Sequence, residues 1–85
     1  MTAARSISVR FFAAAADAAG REEQTVVVAP GASVAAVKEV LVGLYGEAMS
    51  RVLANGSVLM GGVLVRDDTA AVGPEVDILP PFSGG

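Results

Sequence analysis

Glu75-Val76-Asp77-Ile78-Leu79-Pro80-Pro81-Phe82-Ser83-Gly84-Gly85 closes the chain, and how this stretch is read decides the fold. Val76 and Ile78 alternate with charged neighbours, the period of two expected of a strand with one buried face. Pro80 and Pro81 then remove two N–H donors and fix φ, so the ladder is expected to stop at Leu79 and the backbone to leave it extended and stiff. Six extended residues reach roughly 20 Å. Gly84 and Gly85 lack a Cβ, so they fit a channel too narrow for any other residue and could present the Gly85 carboxylate inside a partner's cleft. On this reading residues 1–79 form one domain and residues 80–85 an extended tail.

Working back from the tail, Val72-Gly73-Pro74 is a turn and Arg66 to Thr69 a polar loop, in which Asp67 and Asp68 read as solvated turn residues. Ser57 to Met60 and Val63 to Val65 flank Gly61-Gly62, a pair suited to the positive φ angles of a tight hairpin. Val34, Val37, Leu41 and Leu44 recur at helical spacing with Val40 beside them, an apolar stripe reaching Tyr45 before Gly46 ends it. Ser33 is placed to cap this main helix. Gly43 weakens it by roughly 1 kcal/mol relative to Ala, and is expected to mark a close approach to the sheet. Glu47 to Leu53 reads as a further short helical segment ending near Asn55-Gly56. Towards the start, Ile7, Val9 and Phe11 alternate with Ser8, Arg10 and Phe12 in a first strand over Ser6–Phe12. Ala13 to Ala19 forms a helical turn stopped by Gly20, and Gln24 to Ala29 a second strand with three successive valines. The order ββαβββ predicts an α+β roll in which a mixed sheet of about five strands packs one face on the main helix.

Composition narrows the function. Eighty-five residues support one small core. With no Cys and no His, thiol catalysis, Cys-based metal sites and Ser-His chemistry are excluded within the chain, and no metal ligand set is expected. A net charge of −3 argues against binding nucleic acid, which needs clustered Lys and Arg. The apolar run at Phe11 to Ala16 is cut by Arg10 and Asp17, so neither a signal peptide nor a membrane span is expected, and a cytoplasmic location follows. What remains is the main-chain carboxylate of Gly85. Adenylation by ATP would turn it into a mixed anhydride that a sulfur nucleophile could attack, giving a terminal thiocarboxylate without any catalytic side chain here.

Gly73 to Gly85, together with Val9-Arg10-Phe11-Phe12-Ala13 near the start, resembles the MoaD family, the sulfur-carrier small subunit of molybdopterin synthase, within the ThiS/MoaD-like ubiquitin-like superfamily. The resemblance implies a β-grasp fold, activation of Gly85 by an E1-like adenylating enzyme using ATP, and no cofactor held by this chain. It further implies that the tail, Pro80, Pro81, Phe82, Ser83 and Gly84, docks into a large subunit that carries the catalytic side chains. There sulfur passes to a cyclic pyranopterin precursor, within a heterotetramer. Related carriers for thiamine or cysteine synthesis also end in Gly-Gly on this fold.

Three other readings stand beside this one: a carrier for another sulfur pathway, a non-covalent ubiquitin-like binding module whose tail is incidental, and a protein modifier joined to lysines through Gly85. An enzyme in its own right is disfavoured by the small size and the absence of His and Cys. Phe82 is expected to anchor the tail in a partner pocket, the alternative being that it folds back on its own sheet. The apolar runs Val26 to Val28 and Val58 to Met60 put side chains on both sheet faces, either for a partner or as ordinary packing. Asp17, Glu22 and Glu23 are surface charges suited to basic residues on the activating enzyme.

Overall fold

The computed structural model describes residues 4–81. Five strands and three helices follow in chain order: β1 (Arg5–Phe11), α1 (Ala14–Ala19), β2 (Glu23–Val28), α2 (Val34–Tyr45), α3 (Glu47–Asn55), β3 (Ser57–Met60), β4 (Val63–Val65) and β5 (Glu75–Leu79). The sheet order is β2-β1-β5-β3-β4. β1 and β5 run parallel at the centre and every other pair is antiparallel. A mixed sheet closed over a helix in this order is the β-grasp arrangement expected from the sequence.

Alternation along the strands builds the core. Ile7, Val9 and Phe11 of β1, Val26 and Val28 of β2, and Val76 and Ile78 of β5 are all buried on one face, against Val34, Val37 and Leu41 of α2 and Met49 and Leu53 of α3. The Phe11 ring meets Tyr45 edge-on with centroids 5.7 Å apart. Tyr45 also donates its hydroxyl hydrogen to Gln24 Oε1 at 3.1 Å, so the end of α2 is fastened to β1 and β2 together.

Local signals set the boundaries. The Ser33 hydroxyl accepts the Ala36 N–H at 3.2 Å, capping α2. Two further N–H groups of its first turn reach the loop before β5, Val34 to the Ala70 carbonyl at 3.0 Å and Ala35 to the Asp68 carbonyl at 2.9 Å. Gly61 and Gly62 take φ of 57° and 80°, as a two-residue hairpin of this kind requires.

Two expectations about α2 need correction. Leu44 is 56% exposed and Val40 36%, so neither belongs to the buried stripe. The helix α3 packs along the Val42 side of α2, which turns the buried arc towards Val42 and leaves Val40 and Leu44, on the opposite flank, in solvent. Gly43 makes no close approach to the sheet: a Cβ there would meet nothing within 4 Å.

Candidate functional site

β5 is an inner strand, held by β1 on one side and β3 on the other. Because β5 runs parallel to β1 and antiparallel to β3, Leu79 leaves the sheet beside the end of β1 and the start of β3. Phe12 N–H donates to the Ile78 carbonyl at 3.1 Å, and Ser57 pairs with Leu79 across β3. The ladder ends at Leu79, and Pro80, half-buried, and Pro81, exposed, follow outside any element. The remaining tail residues of the expected site, Phe82, Ser83, Gly84 and Gly85, lie outside the described residues.

Beside this exit the outer sheet face carries one cross-strand row, Glu23, Arg10, Asp77, Leu59 and Leu64, one residue from each strand. Arg10 donates through Nε to Asp77 Oδ1 at 2.8 Å and through its terminal nitrogen to Oδ2 at 2.9 Å, a fork-to-fork pair. The hydrogen bond from Asp77, and then its charge, raises the Arg10 pKa above the usual guanidinium value. The same guanidinium lies 5.7 Å from the centroid of the Phe12 ring, within cation–π range. Phe12 is 42% and Leu64 43% exposed. An ion pair framed by exposed apolar side chains therefore lies next to the point where the tail departs.

The turn carboxylates have partners. Asp67 Oδ1 accepts the Thr69 hydroxyl at 2.6 Å and the Thr69 N–H at 2.9 Å, and those two bonds, in that order, lower its pKa. Asp68 accepts both short contacts from Lys38 Nζ, at 3.0 and 3.2 Å. An open cleft of about 500 Å³ runs beside that pair, with Leu53, Leu64 and Arg66 in its walls. Among the described residues no group of three Asp or Glu side chains gathers as a metal site would require, and no helix is long and apolar enough to cross a membrane.

From the sequence Arg10 is only an outward-facing polar residue of the first strand; its pairing with Asp77 depends on β1 and β5 becoming neighbours, which no local signal shows.

A model of the ThiS family matches residues 9–85. No curated protein matches the chain. Among solved structures, the crystal structure of SAMP1 from Haloferax volcanii is 32% identical, covers 94% of this chain and 99% of its own, and superposes with a TM-score of 0.77. The solution structure of the HVO 2177 protein of the same organism is 26% identical over 96% of this chain and 88% of its own, with a TM-score of 0.80. A Pyrococcus furiosus protein proposed to be molybdopterin converting factor, subunit 1, is 20% identical over 92% of this chain and 99% of its own, with a TM-score of 0.79; that likeness is one of fold.

Proposed function

The chain belongs to the ThiS family, and from that premise we propose that it is a sulfur carrier working through Gly85. One observation carries this reading: the family match extends to residue 85, across a strand that leads from the middle of the sheet into Pro80-Pro81. In the first step a Gly85 carboxylate oxygen attacks the α-phosphorus of ATP on an adenylating enzyme and pyrophosphate leaves. Sulfide, delivered as HS⁻ by a sulfur donor, then attacks the acyl carbon and loses its proton. The C–S bond forms, the C–O bond to AMP breaks, and the chain ends in a thiocarboxylate.

The chain's own residues position rather than catalyse. Pro80 and Pro81 hold the departing backbone extended, Phe82 seats the tail in a partner, and Ser83 and Gly84 pass through the narrow part of its cleft. The receiving protein in this reading is a cytoplasmic molybdopterin synthase large subunit. The Pro-Pro-x-Ser-Gly-Gly ending supports this choice over the thiamine and cysteine pathways. Sulfur would pass to a cyclic pyranopterin precursor there.

Deleting Gly84 and Gly85 tests the role of the tail. A carrier folds normally and loses all sulfur transfer, whereas a non-covalent module keeps its partner. Supplying the thiocarboxylated chain to the large subunit with the pyranopterin precursor then tests the pathway, and absence of sulfur in the pterin product would reject it.

The 32% identity with SAMP1, a small archaeal modifier protein, favours a second reading. The same activated Gly85 could acylate lysine amines, which would appear as higher-mass conjugates in cell extract that vanish on deletion of Gly84 and Gly85.

A further inference from the structure

Gly56 sits where the end of α3 meets the end of β5. Its φ of −93° and ψ of −161° are extended values that any residue adopts, so the backbone conformation makes no demand for glycine. Space does. A Cβ on Gly56 would overlap the Leu79 carbonyl oxygen, and it would lie 2.7 Å from the Val52 carbonyl oxygen and 3.2 Å from the Leu79 carbonyl carbon. These atoms are backbone and cannot rotate away as a side-chain tip would.

The anchoring on each side shows which part would yield. Gly56 is tied to α3 by its N–H bond to the Val52 carbonyl at 2.7 Å, and α3 is pinned in the core by Met49, fully buried, and Leu53. On the other side Ile78 is 1% exposed, while Leu79 is the last residue of its strand. Displacement would therefore concentrate at Leu79, on the order of 1 Å to restore van der Waals contact. The Leu79 carbonyl belongs to the peptide bond that begins Pro80. Two consecutive prolines have little torsional freedom to absorb a shift, so a displaced Leu79 re-aims the tail.

Resting on the carrier reading above, we infer that Gly56 is a positioning residue: the notch left by its missing side chain seats the Leu79 carbonyl and so fixes the direction in which the tail carries Gly85 to the activating enzyme. Gly56 touches no reacting atom and acts through Leu79 and the two prolines.

The test is a cycle with Gly56→Ala and the double change Pro80→Gly/Pro81→Gly, each made in the Gly43→Ala background to keep the variants folded. The folded fraction is measured by circular dichroism, and ATP-dependent pyrophosphate release by the cognate adenylating enzyme is followed against carrier concentration. With the prolines present, Gly56→Ala is expected to lower kcat per folded molecule on the order of ten-fold or more with little change in KM, since misplacements near 1 Å cost rates of this size. With glycines at 80 and 81 the added loss from Gly56→Ala should shrink below about two-fold, because a slack tail no longer transmits the shift. Equal losses in both backgrounds, or no loss, would overturn the inference. Cα–Hα residual dipolar couplings at Pro80 and Pro81 give a readout free of any enzyme and are expected to change in Gly56→Ala. If the unmodified chain is never activated, the carrier reading fails by itself, and unchanged couplings would overturn the positioning claim separately.

Discussion

Replacing Gly43 by Ala should make this protein more stable, although most helix glycines in a small domain would be presumed to serve packing. Gly43 lies in the third turn of α2, its side is exposed, its φ is not positive, and an added methyl group meets nothing within 4 Å. The substitution thus adds no clash and removes no contact, leaving the conformational entropy that glycine loses in a helix. In a helix interior that difference is about 0.8–1.0 kcal/mol, and two residues from the C-terminus some of it is lost to fraying, so about 0.5–1 kcal/mol is expected. In an 85-residue domain this corresponds to a rise in Tm of about 2–8 °C. Urea unfolding followed by far-ultraviolet circular dichroism should show the midpoint moving up by about 0.2–1 M at an unchanged slope. A midpoint unchanged or lowered would refute the reasoning, by showing that something packs against that flank of α2. The same chemical change at Gly56 is expected to have the opposite sign, because there the methyl group would strike main chain.

Further outcomes follow from other residues. Ala13 holds φ of 51° and ψ of −121° ahead of α1, a conformation costly for any residue with a Cβ, so Ala13→Gly should stabilise by about 1 kcal/mol in the same urea assay. For Asp67 the folded pKa is lowered by Thr69, so its contribution to stability is present above the unfolded value, about 3.9, and lost as pH falls through the folded value. The urea midpoint of Asp67→Asn should accordingly lie below wild type at neutral pH and converge on it in acid. Arg10→Ala removes a pair whose arginine side chain is half-exposed, so its cost by thermal unfolding should be small and should shrink further as salt is added. Lys38 is the only lysine in the sequence, so if activated copies acylate one another's side chains, every such linkage mapped by peptide mass spectrometry should fall on Lys38 and disappear in Lys38→Arg.

What the sequence shows plainly is whatever depends on neighbours in the chain. The alternation at Ile7, Val9 and Phe11, the cap at Ser33, the span Val34–Tyr45 and the hairpin glycines Gly61-Gly62 are local signals, and the structure keeps each of them. Which strands become neighbours is not local. The parallel pairing of β1 with β5 joins residues 67 apart, and only that pairing brings Arg10 to Asp77. Val40 and Leu44 carry the right period but the wrong flank, because the approach of α3 sets the direction of the buried arc. Gly56 hides for the same reason, since its constraint comes from Leu79, distant in the chain. The tail is a different case. Its chemistry is read from residue types and from family membership, and the structure adds the direction in which Leu79, Pro80 and Pro81 leave the sheet.

The central claim concerns one acyl carbon, and mass spectrometry can interrogate it directly. The chain would be incubated with ATP, a sulfide source and the cognate adenylating enzyme, then measured intact and fragmented. The expected result is a gain equal to replacement of one oxygen by sulfur, confined to the C-terminal fragment containing Gly85 and dependent on ATP. An unchanged mass with every plausible activating enzyme, or sulfur located anywhere but Gly85, would contradict it.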